Sequence, residues 1–504
     1  MHAAQSDLEE QVSRREPSSG GARAARAVPQ AAAVLVVALL LAVIVRLPWI
    51  GDLGMHAATI QRLGHDLMHP GNPLVDADTP SPYYSPWMLL LGALAKVSGL
   101  SVFVVLRIGA LVGLTLLVTG VWRYVRTLSA HRAAPALALL GLVLLWGTDV
   151  LNWSGFIGLH SLALTISYPS VFALGLTFHF WAWLTRSLRS RASWGRWLGL
   201  GVLWALILLC HQFTGVVATL GALAMVVSAR PGRDVWLRLG GGLALGAVLL
   251  WLWPYYDFFS LFSAGADLEA IHKSLYQHLF VRFGLVLLGV AALVPRLRRD
   301  RWDALVLFFV LGALVVAAGG LTGHYSWGRA LPAALIPAQL AAALEVVSAG
   351  RRAVRAGWAC ALGLALAVGA WAQAGTLGYV TGKDALPSVL AARYEAPWTG
   401  YHWITPWVRY GDVVMARTFP ARQIPAYGGY TVAPGYPDVF LRDSARRSAA
   451  VDRFFAGGTS AAQRRGIVRE YGVRWVVGSA DLAGPGLRRV TTGPGHQVLY
   501  RVEP

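Results

Sequence analysis

Apolar runs long enough to cross a bilayer recur from Pro29 to the end of the "AGWACALGLALAVGAWA" stretch, and they decide what this chain can become. A span needs roughly 20 apolar residues, and its backbone must satisfy its own hydrogen bonds, so such runs become helices. They begin near Pro29, Ser101, Ala134, Leu164, Gly195, Gln212, Leu237, Leu279, Asp303, Trp327 and Arg355. That predicts about eleven crossings. Composition agrees: 56% of the 504 residues are hydrophobic and only 14% charged. The expected class is an all-α polytopic membrane protein carrying a small α/β unit at its C-terminal end.

The net charge of +19 raises nucleic acid as a partner, and the placement of the charge argues against it. Lys and Arg collect in short links such as "RYVRTLSAHR", "RSLRSRASWGR" and "PRLRRDRWD". These read as cytoplasmic loops under the positive-inside rule. The Arg-containing residues 1–28 read as a disordered cytoplasmic tail, followed by a retained first span. An inside N-terminus and an odd number of spans place the C-terminal part outside; the high Ala, Arg and Gly content suggests a bacterial chain, for which a plasma (inner) membrane is expected. Cys210 and Cys360 both lie in apolar runs, where neither a structural disulfide nor a metal site is expected.

One apolar segment, 81–99, is short and contains Lys96. It reads as a juxtamembrane or re-entrant helix on the outer side. The expected organisation is then a membrane domain over 29–379 with an outer loop at 51–101, and an extracytoplasmic α/β domain over 380–504. In the latter, "DVVMA", "YTVAP", "VRWVVGS" and "HQVLYRV" have strand length, while 443–472 reads as helix.

The unusual polar residues gather in the outer loops. "GDLGMHAATIQRLGHDLMHPGNP" (51–73) opens with Asp52, and His56 follows one helical turn on. A carboxylate at the membrane interface is partly desolvated, which raises its pKa towards the range of a general base. The same residue also suits a helix N-cap. Asp52 and His56 are the catalytic candidates, as a proton-sharing pair or a phosphate grip. "WGRALPAALIPAQLAAAL" places Arg329 at the outer end of a late span, either as a phosphate ligand or snorkelling to headgroups. His324 and Arg107 are further phosphate candidates, and Lys273, in an amphipathic outer loop, joins them only through the resemblance given below; Arg107 needs a partner, for which Asp52 or a lipid phosphate would serve. Tyr83 and Tyr84 in "SPYYSP", His211 at a span end and Asp257 in an outer loop are candidates to line a substrate site, against plainer roles as interfacial anchors and loop residues. Asp76 and Asp78, in acid–x–acid spacing, could hold a divalent cation, Mg or Mn, or simply make a turn. No other cofactor is indicated.

Together these parts resemble the GT-C class of membrane glycosyltransferases. The first span runs into "GDLGMHAA" with an acid just outside. "SPYYSPWMLLLGALAKVSGLSVFVVLRIGA" looks like the class's proline–tyrosine juxtamembrane helix and arginine-bearing span. "WGRALPAALIPAQLAAAL" looks like its arginine-led late span, and a small outer α/β domain closes the chain. The usual acidic pair is here Asp52 followed by Leu53. The resemblance implies a sugar donor on polyprenyl phosphate, an extracytoplasmic acceptor, Asp52 as base and Arg329 on the phosphate. Rival readings are a transporter or flippase, a polysaccharide polymerase or ligase, and a non-catalytic envelope assembly protein. Transport would need polar residues through the depth of the membrane, and the mid-span positions are nearly bare of charge.

Overall fold

The computed structural model describes residues 19–263, 266–482 and 486–503. Helices dominate. Among the described residues eight are long and apolar enough to cross a membrane: Ala27–Arg46, Val102–Leu128, Gln212–Ala229, Arg233–Trp251, Leu279–Arg299, Ala304–Thr322, Tyr325–Ser348 and Arg352–Ala372. Ala134–Leu144, Pro169–Leu188 and Trp194–Cys210 occupy the remaining expected positions. The chain is a multi-pass membrane protein. The first helix begins at Ser19, so part of the expected tail is helical, and residues 1–18 lie outside the described residues.

Two departures from the sequence reading have local causes. The helix from Ala134 stops at Leu144, because the chain turns at Gly147 to lie against the 281–285 segment. A Cβ at Gly147 would stand 2.1 Å from the Val281 carbonyl oxygen. A helix ending inside an apolar layer leaves carbonyls without partners. Here side chains reach in to satisfy them: Trp146 Nε1 donates to Leu142 O at 2.8 Å, Gln373 Nε2 to Val143 O at 3.2 Å and Gln339 Nε2 to Leu145 O at 2.8 Å. The span expected from Leu164 begins at Pro169, after a short helix over Leu159–Leu164.

Pro86–Ser98 is too short to cross. Ser85 caps its first turn, accepting from the Met88 amide, and Gly99 ends it in the left-handed conformation. It packs against Leu53–His65, the helix of the first loop. At the centre of the bundle lies Tyr325–Ser348, buried along most of its length. Cys210 is buried and Cys360 exposed, both as free thiols.

The C-terminal part folds around a five-stranded sheet of β1 (Val413–Met415), β2 (Tyr430–Thr431), β3 (Val473–Gly478), β4 (Leu487–Thr492) and β5 (Val498–Val502), in the order β2-β1-β3-β5-β4. β1 runs parallel to β2 and β3, while β5 is antiparallel to β3 and β4. Helices Ser444–Phe455 and Ala461–Glu470 accompany it, the second opening on a Ser460/Gln463 capping box.

This sheet is joined to the first loop. Val75 bridges in parallel to Thr431, whose amide donates to Leu74 O at 3.0 Å. Asn72 Nδ2 donates to Asp438 Oδ2 at 2.8 Å. Arg62, fully buried, donates to the carbonyls of Gly428 (2.9 Å) and Gly429 (2.6 Å), with its guanidinium 3.6 Å from the centre of the Tyr430 ring. Buried guanidinium needs such partners to repay its desolvation.

Candidate active site

The turn after the first span sets Asp52. Gly51 takes φ +61, a conformation that favours glycine, and brings Asp52 to the N-cap position of Leu53–His65. Its side chain makes no capping hydrogen bond, so the N-cap reading does not account for the residue. Tyr168, just ahead of the Pro169–Leu188 helix, holds the turn from one side. Its hydroxyl donates to Ile50 O at 2.6 Å and accepts from the amides of Asp52 and Leu53. From the other side comes the C-terminal part: the Tyr436 hydroxyl lies 2.7 Å from Gly51 O and 3.1 Å from Arg422 O.

Two guanidiniums face Asp52. Burial pushes the carboxyl pKa up, and the positive charges of Arg329 and Arg422 work against that push. Arg329 comes from the central helix and is only 6% exposed, so it does not snorkel to headgroups. It sits between aromatic faces, 4.4 Å from the centre of the Phe213 ring and 5.1 Å from one ring of Trp153. Its Nε has no hydrogen-bond partner, and among the described residues no carboxylate comes within ion-pair distance of it. A cation that is buried, stacked and without a paired acid is arranged to receive an anion. Arg422 is anchored by its Nε to Gly435 O at 3.0 Å.

His211 closes this neighbourhood, near enough to feel the charge of Arg329. Its Nδ1 accepts from the Thr214 amide at 3.2 Å, which places the ring proton on Nε2, 3.3 Å from Ser154 Oγ. His56 lies one turn from Asp52, its ring edge-on to Tyr168 with centroids 4.6 Å apart. Burial lowers its pKa to about 3, so the ring is neutral and lacks the charge that a phosphate grip needs. Tyr83 donates to Pro437 O and stands close enough for the Asp52 charge to bear on its phenol.

The remaining candidates lie apart from this cluster. Tyr84 is buried packing, its hydroxyl donating to Gly71 O at 2.8 Å. The partner expected for Arg107 was Asp52 or a lipid phosphate; the structure instead gives it the Val45 and Phe103 carbonyls at 3.0 and 3.2 Å. His324 is exposed and stacks on Trp327, with Glu269 as its nearby charge. Lys273 is exposed, with its ammonium 5.7 Å from the Tyr325 ring centre. Asp257 is exposed and accepts from the Phe259 amide at 3.0 Å, a turn-forming role. Asp76 and Asp78 are exposed, and among the described residues no three His, Cys, Asp or Glu side chains converge.

Tyr168, Arg422 and Tyr436 escaped the sequence reading. Each bears on the Asp52 turn from a distant part of the chain, and no local pattern ties it there. The one signal was the pair of aromatic–proline steps in "SYPS" and "GYPD".

No protein-family model matches the sequence, and no curated protein matches it. Solved structures do. The arabinofuranosyltransferase AftD from Mycobacteria superposes with a TM-score of 0.58 at 17% identity, over 94% of this chain and 40% of that one. ArnT from Cupriavidus metallidurans, in the apo state, gives 0.54 at 16%, over 94% of this chain and 98% of that one. The chain has the GT-C fold. The likeness persists with ArnT bound to undecaprenyl phosphate, at a TM-score of 0.52 and 16% identity over 96% of this chain. The chain therefore spans 40% of AftD and nearly all of ArnT.

Proposed function

We propose that this chain is a membrane glycosyltransferase. It moves a sugar from a polyprenyl-phosphate donor to an acceptor at the outer face of the plasma (inner) membrane, with the N-terminus cytoplasmic and the C-terminal part outside. The acceptor is a hydroxyl of an envelope glycan, lipid or protein. One observation carries the reading: Arg329, buried and with no paired acid among the described residues, faces a carboxylate that caps nothing, Asp52. The first suits a phosphate; the second suits a hydroxyl proton.

Asp52 takes the proton from the acceptor hydroxyl while that oxygen bonds to the anomeric carbon. The bond from that carbon to the phosphate oxygen breaks, and polyprenyl phosphate leaves with the electron pair. Attack from the face opposite the leaving group inverts the carbon. Arg329 holds the charge that develops on the phosphate, in a site where little water competes. Tyr168 and Tyr436 fix the backbone turn that aims Asp52, and His56 packs behind it as a neutral ring. His324, Lys273 and Arg107 have no part in this step. Whether the sugar is a hexose or a pentose is a matter for the product, and the fold shared with AftD makes a pentose worth testing first.

Native mass spectrometry of the detergent-purified protein, wild type beside Arg329→Ala, tests the reading. Retained undecaprenyl phosphate or its glycosylated form, lost in the variant, is the expected result. A wild-type protein that binds neither when both are supplied would overturn it.

A further inference from the structure

A groove of about 1190 Å³ opens in the C-terminal part, between the Ala461–Glu470 helix and the β3, β5 and β4 half of the sheet. It lies away from β2, the edge that meets the first loop. Its walls are rich in arginine. Arg465 and Arg469 come from the helix, Arg474 and Arg501 from β3 and β5, and Arg409 from the segment before β1; all five are exposed.

The acids of the groove do not balance them. Asp412 is committed three times over: it accepts from Arg474 at 2.8 Å, from Trp475 Nε1 at 3.0 Å and from the Arg409 amide at 2.9 Å. Glu503 pairs with Arg488 at 3.2 Å. Among the described residues, no ion pair or side-chain hydrogen bond is made by the guanidiniums of Arg409, Arg465, Arg469 or Arg501. Four like charges around one concave surface repel each other, and an anion relieves that cost. Trp407 and Trp475 also line the groove, and aromatic surface beside guanidinium suits the apolar faces of sugar rings. The volume holds several such rings.

We infer that this groove is a binding site for an anionic glycan, a saccharide chain carrying carboxylate or phosphate groups, separate from the site around Asp52. Arg465 and Arg469, one turn apart on the helix, take the anionic groups bidentately, and Trp407 stacks a ring. Loss of Asp52 leaves this binding intact, which makes it testable whether or not the chain transfers sugar.

Fluorescent hexagalacturonate and a phosphomannan fragment would be titrated into the full-length protein in detergent, with maltohexaose as the neutral control. Wild type would be compared with the doubly substituted Arg465→Ser/Arg469→Ser protein; both positions are exposed, so folding is preserved. Either anionic probe should bind, lose affinity by about tenfold or more in the double variant, and weaken as salt rises. Asp52→Asn should bind as wild type. Equal binding of maltohexaose, or anionic binding indifferent to both substitutions, would overturn the inference. So would capture of phosphatidylglycerol vesicles, but neither anionic glycan, through the same two arginines; that result would make the groove a membrane contact.

Discussion

At the scale of single residues, Asp52 is governed by a contest between burial, which favours its neutral acid, and two guanidiniums, which favour the anion. A base must be ionised to accept a proton, so activity should fall as pH drops through the Asp52 pKa. Arg422→Gln removes one of the two lowering charges. The Asp52 pKa then rises, and the acid limb of kcat/KM should move to higher pH, while Arg422→Lys leaves it near its wild-type position. A pH profile of transfer checks this; an unmoved limb would remove Asp52 as the titrating base. Asp52→Asn should cost on the order of 10²–10⁴ in transfer rate while the protein still elutes and melts as wild type. Arg329→Ala should weaken retention of undecaprenyl phosphate by about tenfold or more, read as the adduct fraction in native mass spectra.

At the scale of elements, the first-loop helix and the C-terminal part are held at van der Waals limits. A Cβ on Gly54 would stand 1.9 Å from the Arg422 carbonyl oxygen. Gly54→Ala should therefore force the two apart, lowering stability by about 1–3 kcal/mol and slowing transfer. Gly240→Ala, where a Cβ meets nothing within 4 Å, is the control and should melt as wild type. A normal melting temperature and rate in Gly54→Ala would mean that the contact is not needed. The helices were legible in the sequence because each apolar run reports its own burial in lipid. So were β1, β2, β3 and β5, whose short apolar runs announce a packed sheet. β4 was not: "LRRVTT" carries two exposed arginines at the sheet edge and has no apolar run to read. Arg62 is fully buried, and no local pattern foretells it, because its partners are carbonyls 366 and 367 residues away. Asp52 and Arg329 could be singled out from local chemistry. That they face one another, with Arg422 and Tyr436 beside them, is a property of long-range packing that no window of sequence contains.

At the scale of the whole molecule, the bridge from Val75 to Thr431 places the first loop and the C-terminal part on one side of the membrane. The chain must then cross an even number of times between them. Seven of the eight long apolar helices follow the first loop, so an odd number of Ala134–Leu144, Pro169–Leu188 and Trp194–Cys210 must cross as well. In a protein freed of its exposed thiol by Cys360→Ala, single cysteines at Asp76 and Arg409 should react with a membrane-impermeant maleimide from the same side. Labelling from opposite sides would break the parity and the bridge with it. The same join carries a consequence for biosynthesis. Every membrane helix is made before Arg422 and Tyr436 leave the ribosome, so an inserted bundle still waits, one wall short, for its last segment. On the function and orientation proposed above, translocation of that segment completes the site, and a half-made chain should transfer no sugar.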